Sequence, residues 1–254
     1  MNRLAIPALA LLAVLGCAEA MENRVLPADQ QYELAVERFE EQEYRDAIQA
    51  FQTFTFNYPQ DPRVVDARWL TAEAYYANED WATAAQEYLN FQRDFPREGR
   101  GDDALYQAGR SYQKMSLRPE LDQRDTERAI NVYGRLINEY PGSDFVAQAR
   151  EHRERLRDKL AEKVYLVAEF YFDEEDYDAA EIYLTDLIAE YSDTAWLPAG
   201  YALLARTFCE QGLDQRASEV YGRLLEVYPD SNAARRARDD LDGSCRQDAA
   251  PAGE

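Results

Sequence analysis

Three cysteines, one histidine and eleven glycines in 254 residues leave little material for several kinds of protein. The lone histidine, His152, sits among charged residues with no second histidine or cysteine at metal-ligand spacing. No glycine-rich phosphate loop and no G-x-S-x-G element occurs, so no catalytic residue is assigned. The acidic run Asp173-Glu174-Glu175-Asp176 lacks the glycine spacing of a calcium loop and reads as a solvated turn, so no metal residue is assigned either. The scarcity of glycine favours helix over a turn-rich β architecture. Positive charge is also short: 28 Lys and Arg stand against 49 Asp and Glu, a net charge of −21. That balance disfavours nucleic acid, whose binding depends on neutralised phosphates, and direct contact with an anionic membrane surface. Long apolar runs are missing except for Leu4 to Leu15, which is too short to span a bilayer.

That run carries Arg3 before it and Val14-Leu15-Gly16-Cys17 at its end, the arrangement of an export signal. A small residue before a cysteine at this place resembles the lipobox of bacterial lipoproteins. The resemblance implies removal of residues 1–16, diacylglycerol on the Cys17 sulfur and an acyl chain on its new amine. No other cofactor is expected. Each buried methylene contributes about 0.8 kcal/mol, so several chains together make a stable anchor. Ala18 after the cysteine implies, by the same resemblance, transfer to the outer membrane. Residues 17–27 then read as a lipidated tether ending at Pro27.

From there the chain repeats. Ala47, Ala84, Ala129, Ala180 and Ala217 each precede by twelve residues Pro59, Pro96, Pro141, Ser192 and Pro229, and a Tyr or Phe stands before each of those. In four cases another alanine lies twelve residues upstream: Ala35, Ala72, Ala168 and Ala205. Two small residues at a helix–helix contact, an aromatic in the second helix and a terminal proline are the layout of a tetratricopeptide repeat. The expected fold is all-α: a superhelical solenoid of five tetratricopeptide-like helix pairs with a C-terminal capping helix near 230–243. The first pair is expected near 29–42 and 44–57, its second helix carrying the apolar stripe Ala47, Ile48, Phe51, Phe54. Residues 244–254 read as a disordered tail.

Two breaks interrupt the period. Ala108 and Ala129 are 21 residues apart instead of twelve, which places an insert near Ser116 to Arg124, with Pro119 ending the helix before it. Between Asp144 and Phe172 there is neither Gly nor Pro, so one long helix is expected to feed repeat four. Its middle holds Arg150, Arg153, Arg155, Arg157, Lys159 and Lys163, the one clearly basic stretch of an acidic chain. The chain therefore divides into residues 28–143, repeats one to three, and residues 144–243, the long helix with repeats four and five and the cap. In this frame Cys209 follows Ala205 by four residues and Cys245 lies about one period further on, where the equivalent helices run parallel. A Cys209–Cys245 bridge clipping the cap to the array is one reading, suited to an oxidising compartment, and two free thiols are the other.

Five repeats behind a lipobox, an insert in the third and a long linking helix resemble the BamD family of outer-membrane assembly lipoproteins. Tyr140-Pro141-Gly142-Ser143-Asp144-Phe145 and Val167-Ala168-Glu169-Phe170-Tyr171 carry the resemblance most specifically, with Pro96, Asp102, Ala104 and Tyr106 at the entry to repeat three. Ser192 departs from it where a proline is expected. The resemblance implies a non-enzymatic scaffold on the periplasmic side of the outer membrane. Its expected partners are the periplasmic domains of BamA, BamE, with BamC a further candidate, and unfolded outer-membrane proteins; no nucleic acid is among them. It implies that residues 28–143 receive the C-terminal signals of unfolded barrel proteins, and that residues 144–243 dock into the complex. Outward positions of the first helices of each pair supply candidate groove residues, Tyr32, Phe39, Trp69, Tyr76 and Tyr112, whose rings suit an aromatic-ended peptide. Packing between neighbouring helices is the alternative for each. Arg150, Arg153 and Arg157 share one face of the long helix as candidate docking residues, with solvation by Glu154, Asp158 and Glu162 as the alternative. The competing functional reading is another periplasmic repeat lipoprotein, an adaptor for proteases or cell-wall enzymes.

Overall fold

The computed structural model describes residues 25–241. The signal, Cys17, the tether up to residue 24, Cys245 and the 244–254 tail lie outside the described residues, which hold eleven α-helices and no strand. They fall into two compact units, residues 25–78 and 79–241.

The first unit contains α1 (Ala28–Glu40), α2 (Tyr44–Asn57) and α3 (Val64–Ala77). Ala35, Ala47 and Ala67 are wholly buried, and their small side chains let the three helices approach closely around Phe51 and Phe54. Ala35 and Ala47, picked out by their spacing, are thus contact points, and the larger residues of each stripe fill the space beside them.

The second unit contains α4 (Trp81–Asp94), α5 (Gly101–Met115), α6 (Arg124–Glu139), α7 (Val146–Asp173), α8 (Tyr177–Glu190), α9 (Leu197–Glu210), α10 (Asp214–Val227) and α11 (Asn232–Leu241). Each helix packs on the next along the chain, and α7 with α9 and α9 with α11 also touch. Such nearest-neighbour packing is the signature of a repeat stack. Ala84, Ala108, Ala129, Ala149, Ala161, Ala168, Ala180, Ala205 and Ala217 are all buried. Gly109 has a sharper requirement, since a Cβ there would lie 2.6 Å from the buried Tyr133 ring. The expected long helix appears as the 28-residue α7, and the expected insert as the α5–α6 loop at 116–123. The cap, α11, buries Ala234 and Ala237 against Tyr221, Leu224 and Ala205. Cys209 is disulfide-bonded.

One turn recurs in a form that the residue types do not advertise. Gln42, Glu79, Glu175 and Gly212 stand five residues before Ala47, Ala84, Ala180 and Ala217, and all four have positive φ, at 63°, 63°, 62° and 70°. Only Gly212 is the residue that this left-handed conformation favours.

Candidate functional site: the braced helix α7

The basic stretch of α7 does two different jobs. Arg157 is turned inward: its Nε and Nη2 donate to both carboxylate oxygens of Asp193 at 2.6–3.1 Å, and Nη2 also donates to the Glu190 carbonyl at 2.8 Å. Its guanidinium lies 5.4 Å from the centroid of the Tyr191 ring. That fork geometry, with a carboxylate, a carbonyl and a ring face together, ties α7 to the α8–α9 turn. The hydrogen bond from Arg157 holds the Asp193 carboxyl below the ordinary carboxylate range, and the nearby charge of Arg153 adds to the effect. Asp158, one of the acids in the alternative reading of the arginines, accepts from the Ala195 backbone N–H at 2.9 Å. Arg155 pairs with Glu151 at 3.5 Å and approaches His152 Nδ1 at 3.0 Å. Arg150 and Arg153 form no ion pair among the described residues.

The two lysines grip the insert. Lys159 Nζ donates to Ser116 Oγ at 2.8 Å and to the Leu117 carbonyl at 3.1 Å, and Lys163 Nζ donates to the Leu121 carbonyl at 2.6 Å. Burial pulls the Lys159 ammonium below its usual range. Inside the loop, Gln123 Nε2 donates to the Arg118 carbonyl at 2.6 Å, Gln123 Oε1 accepts from Thr126 at 2.7 Å, and Ser116 and Thr126 hydroxyls meet at 2.5 Å. The insert is therefore a held loop that presents Leu117 and Leu121 to solvent.

His152 belongs to neither group. Its ring stacks on Tyr133 with centroids 5.3 Å apart, and Nε2 lies 3.4 Å from the Tyr106 hydroxyl, where Tyr106 itself stacks on Phe145 at 4.6 Å. Burial first, and then the charge of Arg155, lower its pKa from 6.5. Among the described residues no group of three His, Cys, Asp or Glu is placed to hold a metal ion.

The aromatic row is less open than its spacing suggests. In the first unit Trp69 is only 7% exposed. Tyr32 packs edge-on against Phe54 at 5.2 Å with the Arg63 guanidinium 5.1 Å from its ring centroid, and Phe39 packs against Tyr44 at 5.7 Å. Tyr32, Phe39 and Tyr76 remain half-buried. In the second unit Tyr112 is half-buried with Arg128 at 5.8 Å from its ring centroid. Sequence reasoning missed the partner of Arg157 and the carbonyl acceptors of the lysines. One signal was available for the first: Asp193 follows Ser192, the single repeat end that lacks proline.

Comparison with known proteins places this architecture. Residues 25–224 match the YfiO family, described as an outer membrane lipoprotein. The chain is 23% identical over 210 residues to the outer membrane protein assembly factor BamD of Neisseria meningitidis serogroup A, covering 79% of each chain. It is 23% identical over 232 residues to BamD of Vibrio cholerae, covering 87% of this chain and 96% of that one. With the TPR2AB domain of yeast Sti1, in its pHSP90 complex, the TM-score is 0.40 at 18% identity over 85% of this chain and 83% of that one. With most of its length matched, the chain belongs to the YfiO family of outer membrane lipoproteins.

Proposed function

We propose that the protein is a non-enzymatic scaffold of outer-membrane protein assembly, anchored through lipid on Cys17 on the periplasmic side of the outer membrane. The observation that carries this reading is the family match across residues 25–224, which spans both interruptions of the repeat, the held insert and the 28-residue α7. A membrane pull-down tests it. Co-purification with a large β-barrel protein of the BamA type supports the role, whereas co-purification with proteases or cell-wall hydrolases supports the adaptor reading. Replacement of Cys17 by Ser releases the chain from the membrane fraction if the anchor is lipid.

The finer roles follow the same reading. Tyr32, Phe39 and Tyr76 offer partly open rings for the aromatic-ended signal of an unfolded barrel protein, and Tyr112 holds the equivalent repeat position. Trp69, at 7% exposure, offers little surface to such a peptide. Crosslinking of a barrel-signal peptide tests this, since undiminished capture by a Phe39→Ala, Tyr76→Ala variant discards it. Arg150 and Arg153, which form no ion pair among the described residues, serve docking to the periplasmic domains of BamA and to BamE or BamC, while Arg157 braces the helix that presents them. Cys245 is the partner of Cys209. Two reactive thiols besides Cys17 in the denatured, unreduced protein would sink that pairing.

A further inference from the structure

The long helix leaves one flank of the α7–α8 hairpin bare. Tyr165 and Phe172 of α7 turn toward α9: Tyr165 meets Trp196 at 5.0 Å between centroids, and the Arg206 guanidinium lies 4.8 Å from the Phe172 centroid. Tyr171 turns to the opposite flank, where it stacks on Tyr183 of α8 at 5.4 Å with the rings 10° from parallel. Phe170 extends that aromatic run, 5.5 Å from Tyr171 and 58% exposed, and Ile182 beside Tyr183 is 61% exposed. Apart from Phe56 in the first unit and Val25 at its start, these are the most exposed large apolar side chains described.

The reason is geometric. Helix α6 lies along the first half of α7 and reaches the end of α8, as the Tyr133–His152 stack and the cleft of about 240 Å³ lined by Glu127, Ile130, Arg157, Leu160, Glu190 and Tyr191 show. With the extra length of α7, its last turns run on past α6 and carry α8 with them. A regular period would have covered this flank with the preceding repeat. Hairpins of a stack do not bury their apolar faces alone, and here the neighbour is missing on one side only.

We propose that this flank is a docking surface for an amphipathic helix of another protein, one that carries Lys or Arg beside its apolar stripe. The other flank of the same hairpin is covered by a helix, α9, so a helix is the element whose size and ridges fit. The charge decides its chemistry. Glu174 lies one turn beyond Phe170 and Asp186 one turn beyond Ile182, so each acid shares a face with the apolar residue. Both are exposed and neither forms an ion pair among the described residues, and Asp173, Glu175 and Asp178 are exposed close by. Such a rim selects a basic partner through complementary potential. It also opposes a second copy of this chain, which would bring the same acids to the contact. This surface is separate from the aromatic row and from Arg150 and Arg153, and stands whether or not those roles do.

The test uses the full-length lipidated protein in cells, with the photoreactive amino acid p-benzoylphenylalanine placed at Phe170 and, separately, at Ile182. Irradiation is expected to give an adduct at each position, mapped by mass spectrometry to one helical segment with Lys or Arg flanking its apolar stripe. Adding Glu174→Lys and Asp186→Lys to the crosslinkable proteins, with helix content checked by circular dichroism, is expected to cut the adduct by about tenfold. No adduct at either position, an adduct between two copies of this chain, an adduct to an extended or acidic segment, or an undiminished yield after charge reversal overturns the proposal.

Discussion

Replacing Gly212 by alanine, and Gln42 or Glu175 by glycine, should move stability in opposite directions by comparable amounts. All three residues occupy the same turn between the two helices of a pair, at φ 70°, 63° and 62°. A Cβ added at Gly212 meets nothing within 4 Å, so Gly212→Ala introduces no clash and isolates the backbone term. The left-handed conformation costs a non-glycine residue about 1–2 kcal/mol. Alanine recovers part of that, about 0.4–1 kcal/mol, by restricting the unfolded chain. The net expectation for Gly212→Ala is a loss of about 0.5–1 kcal/mol, and for Gln42→Gly and Glu175→Gly a gain of similar size. Urea unfolding of the three variants and the parent, followed by circular dichroism at 222 nm, reads the change as a shift of midpoint at constant slope. If Gly212→Ala is as stable as the parent, or if the glycine variants lose stability, positive φ is not what sets the energetics of these turns.

Arg157→Ala removes the bidentate bond to Asp193, the Glu190 carbonyl contact and the ring contact with Tyr191, all partly solvated, and should cost about 1 kcal/mol in the same assay. Arg157→Lys should restore little of it, because one ammonium cannot reproduce the fork. Lys159→Ala with Lys163→Ala frees the Leu117 and Leu121 carbonyls, so proteolysis by Glu-C after Glu120 should accelerate while cleavage elsewhere does not. His152 has its folded pKa held below 6.5, so the folded state takes up its proton later than the unfolded chain. Its contribution is fully present above pH 6.5 and is lost as the pH falls through 6.5 toward the lower folded value. Unfolding midpoints at pH 7.5 and 5.5 should therefore drop more steeply for the parent than for a His152→Gln variant, whereas equal drops would exclude this residue as the source.

What could be read in the sequence was whatever repeats. Alanines twelve apart mark helix contacts because a bulky side chain there would hold the helices apart, and Ala35, Ala47, Ala72, Ala84, Ala168, Ala180, Ala205 and Ala217 are all buried. The absence of Gly and Pro from 144 to 172 makes α7 legible in the sequence. The site was less legible, for two physical reasons. Partners distant in the chain leave no local pattern: Arg157 and Asp193 are 36 residues apart, and nothing near Arg157 separates it from Arg153. Backbone acceptors leave none at all, since any residue could supply the carbonyls that Lys159 and Lys163 hold. The turn at Gln42, Glu79 and Glu175 was hidden for a related reason. Its conformation is imposed by the helices on either side, and the residues there do not favour it.

The same insertion accounts for both the brace and the bare flank. In a stack whose members touch only their neighbours, lengthening one helix does not distort the rest; it shifts everything after it along that helix. The turns of α7 that overlap both α6 and α8 then need new contacts. Arg157 supplies one to the α8–α9 turn, and Lys159 and Lys163 supply others by drawing the insert of repeat three onto the helix. The turns beyond Lys163 have no such substitute on the side away from α9, so Phe170 and Ile182 stay open beside the half-buried Tyr171 and Tyr183. An apolar flank left this way costs solvation free energy in proportion to its area, and exposed apolar side chains grouped on one flank mark a place where something binds. If nothing bound there, Phe170→Lys with Ile182→Lys would be neutral in every cellular assay and would raise solubility. Loss of barrel assembly in that variant, with its unfolding midpoint unchanged, would instead tie the lengthened helix to a partner that the regular repeat had no room to accept.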